Sequence, residues 1–302
     1  MTSDRNSHQE LPTEAPTEPL PDWSPQEVDI SASSHQGHVR ENNEDSYIVM
    51  RFGRSLENIQ TNLDENVIER SYNITGYGML VADGMGGMAA GEVASQLALA
   101  RVVELIVETS DWVLSLNKER EVQTVLQRMT QRFHQVDQTL REEAQVDSRL
   151  RGMGTTLTVV GTLGSHLLLG HVGDSRAYLF RNNQLKQLTT DHTLAQALID
   201  AGVASLDDPA TRSMKHVLTA AMGSMGDRIE PQVQRFKVGS GDQILLCTDG
   251  LTDMVDDETI SRVLREQPSA EKVCSTLQEL ALTAGGVDNI TVVCARYFGA
   301  GR

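Results

Sequence analysis

Four aspartates stand beside apolar, strand-like segments of this 302-residue chain. Asp83 and Asp249 each precede a glycine at the end of such a segment, Asp174 follows a third segment, and Asp288 lies just before a fourth. An isolated Asp-Gly pair is more often only a tight turn. Carboxylates gathered at one rim of a sheet, however, repel one another and imply bound cations, and Mg²⁺ and Mn²⁺ take carboxylate, carbonyl and water oxygens. The aspartates 83, 249 and 288, with the carbonyl of Gly84, are therefore enough for a two-metal site.

A basic side chain and a further carboxylate precede the first of these motifs. Arg40 lies five residues before Asp45 in the polar segment 40–45. A planar guanidinium binds phosphate oxygens through paired hydrogen bonds. Taken alone, Arg40 is a surface cation paired with Glu41. Beside a pocket of aspartates, a phosphate contact becomes a competing interpretation.

The strands and helices that must position these residues are predicted from two patterns of apolar residues, one typical of strands and one typical of helices. Alternating or continuous apolar runs predict strands at 30–34, 46–52, 77–82, 155–163, 166–172, 177–181, 185–188, 233–238, 243–248 and 289–297. Apolar residues on one helical face predict helices at 91–112, 119–147, 193–202, 257–266 and 269–284. Asn182-Asn183 predicts a hairpin turn, and the polar stretch 53–76 predicts a surface excursion. Two antiparallel sheets flanked by helix pairs give an α+β fold, a four-layered α/β/β/α sandwich.

Composition limits the domain boundaries, the location and the partners. Residues 1–29 are rich in Pro, Glu, Thr and Ser, which predicts a disordered tail before a catalytic domain at 30–298. The formal net charge of −16 argues against a nucleic-acid partner. Three cysteines, an N-terminus unlike a signal peptide and the lack of an apolar run of about 20 residues predict a cytoplasmic protein without membrane contact.

Seven short motifs together resemble one protein family. The chain is similar to the metal-dependent, type 2C serine/threonine protein phosphatases, particularly their bacterial members. The matching segments, in chain order, are 40–45, 81–87, 154–157, 170–176, 188–192, 247–253 and 288–291. The resemblance runs from about residue 30 to residue 297. A set of this length in the right order is highly specific.

The resemblance implies a set of site residues and a cofactor. The metal site would comprise Asp45 (through water), Asp83, Gly84, Asp174, Asp249 and Asp288. Two Mn²⁺ or Mg²⁺ ions would bind tightly, and a third, weaker ion would bind Asp174 and Asp249 with support from Asp253. Arg40, Asp45 and Asp83 would take part in catalysis. A water that bridges the cations would attack phosphorus in line while the metals and Arg40 neutralise the phosphoryl charge.

The resemblance also implies the substrate and the partners. We expect hydrolysis of phosphoserine and phosphothreonine in proteins during bacterial signal transduction, a cognate protein kinase system as a partner, and a monomer. The segment 191–228 matches a variable flap beside the family's active site. Met85 stands where many eukaryotic members have a histidine that protonates the leaving alcohol. No general acid is therefore assigned; a metal-bound water is preferred over His38 and His192, and His171 is expected to be structural.

Two alternatives remain to be weighed against a phosphatase. The segment Gly84 to Ala89, between a strand and a helix, imitates a dinucleotide-binding fingerprint. It fits poorly, because Asp83 would lie against the pyrophosphate and the first helix leads to a second helix. The other alternative is a non-catalytic phosphoprotein-binding module of the same fold. None of the expected ligands is replaced, which favours the enzyme.

Overall fold

The computed structural model describes residues 27–60, 71–86, 90–108, 119–205, 208–224 and 228–299. The strands in these ranges are β1 Glu27–His35, β2 Asp45–Glu57, β3 Ser71–Met85, β4 Gly154–Thr155, β5 Leu157–Leu163, β6 His166–Val172, β7 Arg176–Arg181, β8 Gln184–Gln187, β9 Gln232–Lys237, β10 Gln243–Cys247 and β11 Ile290–Phe298. The helices are α1 Ala90–Val107, α2 Glu119–Val146, α3 Leu194–Asp200, α4 Pro209–Arg212, α5 Asp249–Thr252, α6 Asp257–Glu266 and α7 Ala270–Thr283, with a 3₁₀ turn at Ser148–Leu150. None of these described helices is long and apolar enough to cross a membrane.

The strands form two antiparallel sheets. The five-stranded sheet has the order β1-β11-β10-β7-β8. The six-stranded sheet has the order β2-β3-β5-β6-β9, and its sixth strand is the short β4, which pairs with β3. The hairpin between β7 and β8 turns at Asn182 and Asn183, whose φ angles are 51° and 63°. Positive φ at both central residues matches the right-handed twist of the flanking strands. The predicted hairpin is therefore present.

Three apolar layers hold the sheets and helices together. α1 and α2 cover the six-stranded sheet and bury Leu99 and Phe133 against it. α6 and α7 cover the five-stranded sheet and bury Leu264 and Leu277. Side chains from both sheets, among them the fully buried Tyr297, fill the layer between them. The layers therefore run α/β/β/α, and the predicted fold class is confirmed.

The first strand begins earlier than the sequence predicted. β1 starts at Glu27, three residues inside the expected tail at 1–29. Val28 continues the apolar alternation of β1 and pairs with Tyr297 of β11. Residues 27–29, at the end of the polar segment, are therefore part of the sheet, because pairing with β11 determines where β1 begins. Residues 1–26 of the expected tail lie outside the described residues.

The excursion expected at 53–76 is also shorter than predicted. β2 and β3 form one long antiparallel pair whose ladder continues as far as Glu57 opposite Ser71. Residues 61–70, between the two strands, lie outside the described part. Strand pairing here overrides a polar composition that alone indicated a loop.

Candidate metal centre

Asp45 and Asp83 are brought together by the pairing of β2 with β3. They stand directly opposite each other in the antiparallel ladder. Thr248 Oγ1 donates a hydrogen bond of 2.8 Å to Asp45 Oδ2 and accepts one of 3.0 Å from the amide of Thr291. Thr291 lies in β11 and Thr248 directly follows β10. This chain of hydrogen bonds therefore joins the two sheets at the site.

Asp249 and Asp288 come from the five-stranded sheet. Asp249 is the first residue of α5, two residues after the end of β10, and Asp288 lies two residues before β11. A Cβ on Gly250 would overlap the carbonyl oxygen of Asn289. The side-chain amide oxygen of Asn289 in turn accepts a hydrogen bond of 2.8 Å from the amide of Glu44. The absence of a side chain at Gly250 therefore lets the starts of α5 and β11 pack against each other.

Gly84, in the first Asp-Gly pair, also serves close packing. The sequence suggested a sharp turn at this glycine, but Gly84 has no positive φ, and β3 continues through it to pair with Thr155 of β4. A Cβ on Gly84 would overlap the carbonyl oxygen of Gly91 in α1. Its amide donates a hydrogen bond of 3.2 Å to the carbonyl of Glu44. The expected turn is therefore absent, and the glycine is needed because α1 approaches the strand.

Asp174 lies in the turn between β6 and β7. The preceding residue, Gly173, has a φ of 113°, and a Cβ there would collide with the side chain of Thr156. The hydroxyls of Thr156 and Ser175 share a hydrogen bond of 2.8 Å, and Thr156 Oγ1 also accepts one of 2.9 Å from the amide of Asp83. The turn that carries Asp174 is therefore bonded to the strand that carries Asp83.

These residues surround one cavity of about 710 Å³. Among the residues predicted for the site, its lining includes Arg40, Asp83, Gly84, Asp174, Asp249 and Asp288. Asp45 is buried, only 7% exposed, beside Thr248. The structure thus brings every predicted site residue to the same rim of the two sheets.

Burial and mutual repulsion raise the pKa values of the carboxyl groups. Burial is the largest cause for Asp45, whose pKa is raised to about 7 although hydrogen bonds from Thr291 and Thr248 oppose the shift. Burial and then the charge of Asp249 raise the pKa of Asp174 to about 7. Burial, followed by the charge of Asp45 and of the other carboxylates, raises the pKa of Asp83 well above its usual value. The protein groups around these carboxylates therefore do not neutralise their negative charge.

The donor set fits divalent cations. In the described part of the chain, no hydrogen bond reaches the buried atoms Asp45 Oδ1 and Asp249 Oδ1. Buried polar atoms in native proteins nearly always have a partner, and ligand carboxylates must be deprotonated. Hard cations such as Mg²⁺ and Mn²⁺ would supply that partner and offset the repulsion, since every donor here is an oxygen.

Arg40 enters the cavity from the loop between β1 and β2. Its Nη2 atom lies 2.6 Å from Asp288 Oδ2, and its side chain is 54% exposed. Of the two interpretations that the sequence left open, the observed contact is not the surface pair with Glu41. Arg40 instead bonds one of the predicted metal ligands, and this bond is the largest cause that raises the pKa of Arg40.

Three basic side chains that the sequence patterns did not single out also line the cavity. Arg212, Lys215 and His216 come from α4 and the turn after it. His216 Nδ1 lies 3.8 Å from Asp249 and 3.5 Å from Asp253, and these contacts raise the pKa of His216 to about 9. The sequence shows these three residues only as basic residues in a turn-rich segment. No hydrophobic pattern there predicts that they lie near the aspartates.

The residues considered as proton donors occupy different places. Met85 lines the cavity, as expected beside Gly84. Among the described residues that line this cavity, neither His38 nor His192 is present. His171 is fully buried, and its Nδ1 atom shares a hydrogen bond of 2.8 Å with Thr158. This burial is that of a structural side chain.

The α/β/β/α sandwich and its rim of carboxylates fit a divalent-metal site of the kind that hydrolases of phosphate esters use. The Protein phosphatase 2C family matches residues 66–283. The chain belongs to the protein phosphatase 2C family, as its sequence motifs predicted.

Known relatives and solved structures agree with this membership. PstP of Mycobacterium tuberculosis (strain CDC 1551 / Oshkosh), a serine/threonine protein phosphatase, is 34% identical over 265 residues, which cover 88% of this chain and 44% of PstP. The chain thus spans less than half the length of that relative. Protein phosphatase PhpP of Streptococcus pneumoniae serotype 2 is 33% identical over 88% of this chain and 96% of PhpP. The crystal structure of the catalytic domain of PstP in complex with two manganese ions has a TM-score of 0.69 at 33% identity, covering 90% of this chain and 98% of that chain.

Proposed function

We propose that this chain is a metal-dependent phosphoprotein phosphatase that hydrolyses phosphoserine and phosphothreonine in proteins. The observation that carries the proposal is a set of carboxylates around one cavity, in which the buried atoms Asp45 Oδ1 and Asp249 Oδ1 have no hydrogen-bond partner among the residues that the structure describes. The relatives named as serine/threonine phosphatases, at 33–34% identity, support it. An arginine beside the carboxylates supplies the group that a phosphate needs.

The proposed roles follow the two sheets. Two tightly bound Mn²⁺ or Mg²⁺ ions would be held by Asp83, Asp249, Asp288 and the carbonyl of Gly84, with Asp45 acting through water. The PstP structure with two manganese ions supports this number. Asp174 and Asp249 would hold a third, weaker ion, and Asp253, which lies beside His216, would support it.

The side chains of the cavity would divide the remaining tasks. When bound, the cations polarise the phosphoryl group and lower the pKa of the attacking water. Arg40 would donate hydrogen bonds to the phosphoryl oxygens and orient the ester for in-line attack, exchanging its bond to Asp288 for one to the substrate. Arg212 and Lys215 add positive charge at the cavity and would attract a phosphorylated segment. Met85 has no ionisable proton, so this side chain would not protonate the leaving alcohol, and no residue of the cavity is assigned that role.

The decisive experiment compares Asp83→Asn with a matched control, Asp256→Asn. Asp256 lies three residues after the motif 247–253 but caps α6 and is not among the residues that line the cavity, and asparagine caps helices equally well. Calorimetric Mn²⁺ titration and Mn²⁺-dependent phosphate release from a phosphothreonine peptide are measured for both variants. We expect Asp83→Asn to lose release and tight Mn²⁺ binding while Asp256→Asn keeps both.

Other outcomes of this experiment would contradict the proposal in different ways. Retained turnover in a folded Asp83→Asn variant would overturn the metal assignment. Phosphopeptide binding by the wild type without any Mn²⁺-dependent release would instead favour the non-catalytic binding module of the same fold.

We further propose the context in which this activity occurs. The chain would act as a monomer in the bacterial cytoplasm, in signal transduction, on proteins phosphorylated by a cognate kinase system. Residues 191–228 would form the substrate-contacting flap of a catalytic domain that extends from about residue 27 to residue 298. The three basic side chains that this segment contributes to the cavity support the flap assignment.

A further inference from the structure

His192 stands at the start of the segment 191–228 and holds the turn that carries Asp174. Its Nδ1 atom accepts a hydrogen bond of 3.2 Å from the amide of Gly173. Its own amide donates a hydrogen bond of 2.7 Å to the carbonyl of Gly173. One residue therefore bonds both backbone polar groups of the glycine that directly precedes Asp174.

The conformation of that glycine decides where Asp174 points. Gly173 has a φ of 113°, which L side chains rarely adopt, and a Cβ at this position would collide with the side chain of Thr156. The imidazole of His192 thus holds the peptide that joins Val172 to Gly173, and the backbone amide of His192 holds the peptide that joins Gly173 to Asp174. Asp174 itself is 8% exposed and lines the acidic cavity. A change in the first of these peptides would shift Gly173 and redirect the carboxylate of Asp174.

The surroundings of His192 keep its ring in the state that can accept a hydrogen bond. Gly173 donates from its amide, so Nδ1 must be unprotonated. The ring lies 5.0 Å from the ring of His171, and burial lowers the pKa of His192 although Asp191 opposes the shift. Its backbone carbonyl accepts a hydrogen bond of 2.8 Å from the amide of Thr219. The residue is therefore held from several sides.

We propose that His192 is a positioning residue that aims Asp174 at the third, weaker cation and so sets the affinity of that site. This inference rests on the proposed function, because it takes Asp174 as a ligand of that ion. His192 would not contact the cation or the substrate phosphate. Groups that hydrogen-bond a metal ligand directly typically change metal affinity about 10–100-fold when they are removed. Because His192 acts through the residue before the ligand, we expect the lower end of that range.

Three substitutions separate the acceptor at Nδ1 from the bulk of the ring. His192→Asn places an amide oxygen near the position of Nδ1 and keeps the bond to Gly173. His192→Leu keeps much of the volume but removes the acceptor. His192→Gln places its oxygen farther out, nearer to the position of Nε2, and serves as a second test if the leucine variant does not fold.

The experiment is a calorimetric Mn²⁺ titration of the full chain, with Asp174→Ala as the reference for loss of the weak site. We expect His192→Leu and His192→Gln to weaken the third site about 10-fold or more while tight binding persists, and His192→Asn to stay within about 3-fold of the wild type. If Asp174→Ala removes the weak site but His192→Leu and His192→Gln retain it at full affinity, the role of His192 is overturned while the third-ion assignment stands. Equal weakening by Asn and Gln also overturns it, because the Nδ1 acceptor would then not be the cause. A wild-type titration without a weak site, or with one that Asp174→Ala leaves unchanged, removes the third-ion assignment first.

Discussion

Thr248 shows how much the site depends on single uncharged side chains. Its hydroxyl donates to Asp45 and accepts from the amide of Thr291, and all three groups are buried. Thr248→Val keeps the shape of the side chain but removes the acceptor for the amide of Thr291 and one of the hydrogen bonds to Asp45, at about 1–3 kcal/mol for each. We expect the free energy of unfolding of the metal-free protein to fall by at least about 2 kcal/mol in urea titrations. Thr248→Ser retains the hydroxyl and is the matched control. Equal stability of the Val and Ser variants would show that the hydroxyl does not couple the sheets.

Arg40 is a second residue with a separable effect. Its guanidinium bonds Asp288 in this structure and is proposed to bind the phosphoryl group during turnover. A hydrogen bond to a charged group contributes about 1.5–3 kcal/mol, so Arg40→Ala should raise KM for a phosphopeptide roughly 10-fold or more at saturating Mn²⁺. Arg40→Lys keeps the charge without the paired geometry and should give an intermediate KM. An unchanged KM in Arg40→Ala would mean that this side chain serves only Asp288.

The residues that the sequence predicted and those that it did not differ in how they are encoded. Asp83 and Asp249 come at the ends of apolar runs in the sequence, so the local pattern was enough to predict that they lie together. Thr248 and His216 carry no such signal. Their roles depend on contacts between segments that are distant in the sequence, and a local apolar pattern does not predict such contacts.

Among the elements, the glycines after the two aspartates control how closely neighbouring segments approach. A Cβ on Gly250 would overlap a backbone oxygen of Asn289, whereas a Cβ on Gly161 in β5 meets nothing within 4 Å. Neither glycine has a positive φ. Gly250→Ala should therefore destabilise the protein by about 1–3 kcal/mol through overpacking, although alanine favours helices. Gly161→Ala, the matched control, should be nearly neutral in thermal unfolding. A neutral Gly250→Ala would mean that α5 can shift without cost.

The elements themselves were predictable to the extent that each one carries its own period. The α6 bounds, Asp257–Glu266, agree with the predicted helix, and the Asn182-Asn183 hairpin is present. The ends of β1 and β3 were not predicted, since pairing with β11 and β4 extends both strands through polar residues. The short helix α4, within the expected flap at 191–228, was not predicted, because it is a single turn whose start depends on Asp208 and Pro209.

At the scale of the whole molecule, the proposed metal site lies at the edge of the interface between the two sheets. Asp45 and Asp83 belong to the six-stranded sheet, whereas Asp249 and Asp288 lie just beyond the ends of strands of the five-stranded sheet. The apolar layer between the sheets brings these carboxylates together, and their repulsion opposes that packing. Cations that bind all of them would therefore stabilise the docking of the sheets, and removal of the cations would weaken it.

This opposition predicts how stability depends on pH. The pKa values of Asp45 and Asp174 are raised to about 7 in the metal-free fold, from about 3.9 in an unfolded chain. Between these limits the folded state binds more protons than the unfolded state, so these two groups make stability fall as the pH rises from about 4 to about 7. Asp45→Asn should remove part of this penalty without losing an acceptor for Thr248. We therefore expect metal-free Asp45→Asn to have a higher Tm than the metal-free wild type near pH 8 and a smaller advantage near pH 5.

Saturating Mn²⁺ should reverse the order of the two proteins. The wild type should gain more in Tm near pH 8 than near pH 6, because protons no longer compete for the carboxylates, and Asp45→Asn should gain less at both values. Differential scanning fluorimetry with and without Mn²⁺ measures all of these differences. If Asp45→Asn were as sensitive to Mn²⁺ as the wild type, or if its metal-free advantage did not grow with pH, the repulsion among the carboxylates would not be what the cations relieve.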